Sequence, residues 1–412
     1  MQPGYRLAGI DVHKKMLAVV VRCEQDGQTQ YQQRSFGTTR REIEHLAAWL
    51  QQQQVSEAVM ESTAQYWRPV WYGLEAHLRL HLSHPLATRA PRGRKGDFRD
   101  ARRLVDRLAA GDLEESFVPN AEQRGWRWLT RTRVELKRKI GVVRSQVEGL
   151  LEEGGVKLSA TVSDLFGASG WAMLERLAEG ETDTARIAGQ ARGSLRHKQA
   201  ALQEALAGRL DATGRLLLGQ CLQQVQLLQQ HIAEIGMALS QAMREHAASL
   251  NRLSQVPGVQ VYAAQELLAE IGPQAAAFPS AVQFASWVGL CPGQQESAGV
   301  SYSTRSPKGN RYLRRLLCQL GWAALHTKGT FFASLFARLS PKLGAKGAAW
   351  AVAHRLGRVI WVLLHRGIDY AERGPVHQNP QHLRRKFRRL LIDLSRAGID
   401  ASTLLPHPNP AA

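Results

Sequence analysis

LAGIDVHKKMLAVVVR, residues 7–22, is the stretch whose reading decides the fold. Two apolar, β-rich runs, 7–12 and 17–21, flank a short polar connection, 13–15, and read as the two strands of a hairpin. Asp11 stands near the end of a strand that should otherwise be buried. An unpaired buried charge is costly, so this carboxylate calls for a cation or a partner. The plainer alternative is an edge-strand Asp that faces water or caps a turn.

Outward from the hairpin, the N-terminal third alternates. Strands at about 5–12, 16–23 and 29–36 are followed by a helix over 39–52, a strand over 57–61, a helix over 64–78, a strand over 80–84 and a helix over 97–110. Three strands followed by αβαβα predict a ribonuclease-H-like mixed sheet. Carboxylates recur where that sheet would use them. Glu61 ends the apolar strand AVME, and Asp97 and Asp100 sit at i and i+3 on one helix face. The surrounding segment, RAPRGRKGDFRDARR, otherwise carries only positive charge, Lys95 and Arg99 included. Acidic residues in basic surroundings suit a site where Mg²⁺ bridges protein carboxylates and a phosphate backbone. Taken singly, Asp97 is better explained by complementing the helix dipole, and Asp100 by an ion pair with Arg103; all four acids together are harder to dismiss.

The whole chain favours a polyanionic partner. Its 412 residues carry a formal net charge of +19, with a pI near 10.3, which puts nucleic acid ahead of an anionic membrane. No run of about 18 apolar residues occurs, and the best stretch, 348–364, is interrupted by His354, Arg355 and Arg358. The N-terminus lacks a signal-peptide pattern. Four scattered cysteines, with neither CxxC nor metal-like Cys/His spacing, suggest a reduced, cytoplasmic protein without structural zinc.

Beyond residue 121 the period becomes helical. Leu136, Ile140, Val143, Val147 and Leu150 form one seam, and Leu218, Leu222, Val225, Leu228, Ile232, Ile235 and Leu239 form another. They predict either an antiparallel helical hairpin or pairing between chains, separated by a polar, Gly-containing stretch over about 154–195. Arg131, Lys137 and Arg138 belong to a basic face that is either simply solvated or tracks phosphates. From about residue 253, LSQVPGVQVYAAQELLAEIG reads as a helix, a Pro-Gly turn and a second helix, like a helix–hairpin–helix, with an ordinary helical turn explaining it at least as well. A loop of small and polar residues containing Ser297 then runs through Arg305 into a basic helix start at Lys308, Arg311 and Arg314. A hydroxyl there, flanked by guanidinium groups, could attack a phosphodiester, though any one Ser in such a loop is more often merely polar.

GIDVHK, VMEST, KGDFRDA, FASWVGLCPGQQESAG and SPKGNRYLRRLL together resemble the DEDD transposases of insertion sequences, described as bridge-RNA-guided recombinases and related to pilin-gene invertases. The resemblance runs over about 7–370. It implies an α/β plus α protein: a RuvC-like domain (1–120), a coiled-coil arm (121–250), a transposase domain bearing a catalytic serine (251–372) and a basic tail (373–412). The family's four acids fall on Asp11, Glu61, Asp97 and Asp100, and its serine on Ser297. The resemblance further implies Mg²⁺, donor and target DNA, an element-derived guide RNA, a dimer or tetramer, and strand exchange through a serine–DNA phosphodiester. Two positions depart from the usual pattern. Gly96 stands where many members carry Thr, and Val300 follows the SAG motif where many carry Lys, a role open here to Arg305 or Lys308. Two alternatives remain: a hydrolytic RuvC-type nuclease with water as nucleophile, and a non-catalytic nucleic-acid-binding protein.

Overall fold

A computed structural model describes residues 5–25, 27–62, 64–83, 96–291, 295–297, 300–303, 306–374 and 380–397. The chain divides into two compact units, Met1–Asn120 and Ala121–Ala412.

The first unit is built on a five-stranded sheet in the order β3-β2-β1-β4-β5. β1 (Arg6–Val12), β2 (Met16–Gln25) and β3 (Gln28–Gly37) form an antiparallel meander. β4 (Glu57–Glu61) and β5 (Arg79–Ser83) add in parallel on the other side, Ile10 standing beside Met60 and Met60 beside Leu82. Parallel neighbours need crossovers, which α1 (Arg40–Gln52) and the shorter α2 (Trp67–Leu74) supply. Both helices pack on one face, where Ala8, Ile10, Val19, Ala58 and Met60 join their apolar stripes. α3 (Asp97–Ala110) covers the opposite face, with Leu7 and Val20 against Ala101 and Val105. This is the mixed sheet the alternation predicts, and the α/β plus α class holds. The central strands β1 and β4 are largely buried because helices cover both of their faces.

Past α3 the chain returns to the free edge of β5, where Ser116 N–H donates to the Leu82 carbonyl at 2.6 Å. His81, 5% exposed, lies between Glu57 (2.6 Å) and Glu115 (2.7 Å) and ties that return to the sheet. Covering the edge this way blunts a strand that could otherwise pair with another chain.

The second unit opens with α4 (Ala121–Glu153), which pairs antiparallel with the helix Ala212–Ala242 inside one chain. Ile140 and Val143 meet Val225 and Leu228, while Val147 and Leu151 meet Leu218 and Leu222. The two seams therefore close on each other. Residues between them do more than the polar reading suggested. Short helices around Ala168–Glu179 bury Leu158, Met173, Leu174, Ile187 and Leu202 in one core with Val147, Leu151, Leu218 and Leu222 of the long pair. Their apolar residues are too sparse per helix to announce it locally. At the base of the pair, the helices Val261–Ile271, Ala281–Val288, Arg311–Leu325 and Phe331–Arg366 share a larger core around Phe284, Leu317, Phe332 and Leu356. Among the described residues no helix is long and apolar enough to cross a membrane.

Part of the basic face of α4 points inward. Arg133 is fully buried, donating to Gln265 Oε1 at 2.7 Å and the Tyr262 carbonyl at 2.9 Å, with Glu266 at 3.8 Å. Removing one member of such a network leaves its partners unsatisfied. Arg133→Ala is expected to lower unfolding free energy by about 3–5 kcal/mol in urea titrations, and a loss below about 1 kcal/mol would contradict this packing.

Candidate active site

Side chains alternate along a strand, so the odd residues of β1 and β4 share the face covered by α3. Leu7 and Gly9 point there, and Asp11 follows them at the C-terminal end. The parallel register sets Glu57 beside Leu7 and Met60 beside Ile10. That pairing ends at Ile10 and Met60; Asp11 and Glu61 are the next residue of each strand, and Glu61 stands outside the close group formed by Asp11, His13 and Asp97. Gly9 makes the next contact possible: a Cβ at that position would lie 2.0 Å from the carbonyl oxygen of Ala101. Without a side chain, the backbone of α3 rests directly on β1. The buried stripe of α3, Ala101, Leu104 and Val105, continues toward its N-terminus as Asp97 and Asp100, which are thereby laid over the end of β1.

A histidine joins these acids. His13 follows Asp11 by two residues, and its Nε2 lies 3.1 Å from Asp11 Oδ2 and 3.3 Å from Asp97 Oδ1. One ligand atom from each of Asp11, His13 and Asp97 falls within 4.8 Å of the others, the one such metal-capable group among the described residues. His13 lies in the polar connection between β1 and β2, and its i+2 spacing from Asp11 is the sequence signal that marks it. Asp100 is also engaged by Arg103 at 2.9 Å, the ion pair its spacing allowed.

Burial pushes the Asp11 carboxyl above the usual carboxylate range. His13 opposes this, and the neighbouring Asp100 and Asp97 add to it. A desolvated carboxylate facing two others is the donor set that a hard divalent cation satisfies. These residues fit Mg²⁺ or a related ion.

In the second unit, β6 (Gln295–Ser297) pairs antiparallel with β7 (Val300–Ser303), and Ser297 ends β6 opposite Val300. Of the residues read as nucleic-acid contacts, Arg99, Lys137, Arg138, Lys308 and Arg311 are exposed. Lys137 rests against the Tyr262 ring at 5.1 Å. Arg311 donates to the Tyr312 hydroxyl at 2.7 Å, and both Arg311 and Arg138 stand 3.9 Å from Glu135. Arg131 has an internal partner instead. Its guanidinium grips buried Glu270 with two hydrogen bonds of 2.7 and 2.9 Å, and beside it burial draws Arg127 down to about 10 against the pull of Glu270. Arg314 donates to the Pro307 carbonyl at 3.2 Å. Lys95 and Arg305 lie outside the described residues.

A mixed sheet with acids gathered at its strand ends, joined to a helical unit, defines a two-part architecture that comparison with known proteins places. Residues 8–154 match the DEDD transposase model for IS110, and residues 250–335 match the model described as "Transposase IS116/IS110/IS902 family". The chain carries both domains in order and belongs to the IS110 family of transposases. It is 26% identical over 283 residues to the "Probable family 20 transposase" of Pseudomonas aeruginosa, covering 68% of this chain and 75% of that protein. The solved structure of T. thermophilus RuvC in complex with a Holliday junction substrate aligns with 27% of this chain and 99% of its own, at 11% identity and a TM-score of 0.21.

The raised Asp11 pKa has a signed consequence. Between the ordinary and the raised value the folded state holds more protons than the unfolded state, so stability falls as pH rises through that window. Above it the full penalty is present. Asp11→Asn is expected to melt higher than the wild-type protein at neutral pH without divalent cations, with the difference vanishing at acid pH. The same variant should lose the stabilisation that Mg²⁺ or Mn²⁺ gives the wild type. Thermal melts across pH with and without metal test both. A variant that melts lower at neutral pH and keeps the metal response would contradict the cluster.

Proposed function

We propose that this transposase is an insertion-sequence recombinase that cuts and rejoins DNA through Ser297, at a divalent-metal centre held by Asp11, Glu61, Asp97 and Asp100. The observation that carries the reading is the meeting of Asp11, desolvated at the end of β1, with Asp97 and Asp100 from the first turn of α3. Family membership supports DNA as the substrate, and the net charge of +19 suits a partner of high negative charge. The bound cation supplies polarisation of the scissile phosphate. His13 orients Asp11 and Asp97 from the solvent side.

In the covalent step the Ser297 hydroxyl oxygen bonds to phosphorus while the bond from phosphorus to one sugar oxygen breaks. The serine gives up its proton and the departing sugar oxygen gains one, so one phosphodiester replaces another. Attack by a second strand's hydroxyl reverses these changes and restores Ser297. No high-energy cofactor is consumed. Exposed Arg99, Lys137, Arg138, Lys308 and Arg311 would contact the phosphates of donor and target DNA and of an element-derived guide RNA. Because the acids belong to the first unit and Ser297 to the second, a homodimer or tetramer could complete one centre from two chains. The four-part division at about residues 120, 250 and 372 is part of the same reading.

Incubating protein, Mg²⁺, RNA from the element's flank and donor DNA, then denaturing, is expected to leave a protein–DNA adduct that peptide mass mapping assigns to Ser297. Ser297→Ala, Asp11→Ala and chelator should each abolish it. Cleaved DNA without any adduct would replace this mechanism with hydrolysis by water.

A further inference from the structure

The segment that carries Ser297 leaves and re-enters the helical core at one point. Backbone 287–289 lies against backbone 307–310, so close that a Cβ on Gly309 would stand 2.2 Å from the Val288 carbonyl and one on Gly289 would stand 2.7 Å from that of Pro307. Gly289 also has φ +82°, a left-handed conformation that favours glycine. Asn310 N–H donates to the Trp287 carbonyl at 3.2 Å.

Two side chains from different helices grip this crossing. Trp350 Nε1–H donates to the Leu290 carbonyl at 3.0 Å, on the entering side. Arg314 Nη1 donates to the Pro307 carbonyl at 3.2 Å, on the leaving side. The Arg314 guanidinium stacks 4.8 Å from the Trp350 ring centroid, so the two anchors brace each other. The leaving side is also tied to the core: Asn310 caps the helix Arg311–Leu325 and donates to buried Glu270 at 2.8 Å.

We propose that the Arg314–Trp350 pair is a positioning device for the serine-bearing β6–β7 pair. It holds the backbone at Leu290 and Pro307, on the two sides of the segment, at fixed separation and so steadies the strands through which the serine would act. The proposal rests on the reading of Ser297 as nucleophile. A short two-stranded element has little stability of its own, so its orientation depends on how its roots are held. Attack geometry is unforgiving of displacements near 1 Å. Arg314 in this role acts through the backbone of Pro307. A phosphate contact would instead leave its mark on DNA affinity.

The test uses the full-length protein with Arg314→Lys, which keeps the charge but loses the planar stack, and Trp350→Phe, which keeps the ring but loses the N–H. Amide hydrogen exchange over residues 295–303, DNA affinity against salt, and the single-turnover rate of Ser297 adduct formation are measured, with melting as a check on folding. Exchange is expected to quicken by about tenfold in each variant, and the adduct rate to fall by about 10- to 100-fold. DNA affinity should change by less than about threefold, with an unchanged salt slope. The double variant should be no worse than the poorer single one, because both act on one element. Unchanged exchange in both variants would overturn the proposal. So would a weaker, flatter salt dependence for Arg314→Lys with unchanged exchange, which would make Arg314 a phosphate contact. Quickened exchange in a protein whose wild type forms no adduct would locate the failure in the serine reading, and the proposed role would fall with it.

Discussion

The contact between Gly9 and the carbonyl of Ala101 is the constraint on which the candidate site depends. A strand and a helix normally stand apart by the thickness of their side chains. At this one point they meet backbone to backbone, and the helix settles onto the sheet. Its first turn then reaches the tip of β1, and Asp97 and Asp100 come over Asp11. The N-terminal end of a helix favours negative charge, which eases the approach of these acids without cancelling the desolvation of Asp11. The metal-free protein is left with a carboxylate cluster that works against its own stability. Strain of this kind concentrates at functional sites, where function and stability pull apart.

The second unit solves the opposite problem. Its buried charges are paired: Arg131 and Asn310 on Glu270, and Arg315 on Glu266, with Arg133 nearby. These pairs hold α4, the helix Val261–Ile271 and the helix Arg311–Leu325 in one arrangement. The root of the serine-bearing strands is built on that same frame.

Much of this was legible in the residues. Apolar, β-rich runs marked the strands of the first unit, and helical seams marked α4 and the helix Ala212–Ala242 of the second. Asp11 and Glu61 stood out as charges ending apolar strands, and Asp97 and Asp100 as an i, i+3 pair. What stayed hidden depends on contacts between distant residues. Gly9 looked like any glycine in a strand, because the partner that requires it lies 92 residues away. Arg131 looked like a surface charge because Glu270, which receives it, sits on an amphipathic helix whose own pattern does not mark it as buried. His13 was read as turn. The small core between the two long helices was missed because its apolar residues are spread over several short helices.

The central claim is that close packing of α3 on β1 creates a divalent-cation site, and calorimetric titration of Mn²⁺ into wild-type and Gly9→Ala protein tests it most directly. Exchange protection of β1 shows in the same samples whether the sheet survives. The account predicts one saturable site in the wild type and binding weakened by about tenfold or more in the variant, with β1 still protected. Equal binding in both proteins, or none in the wild type, would contradict it.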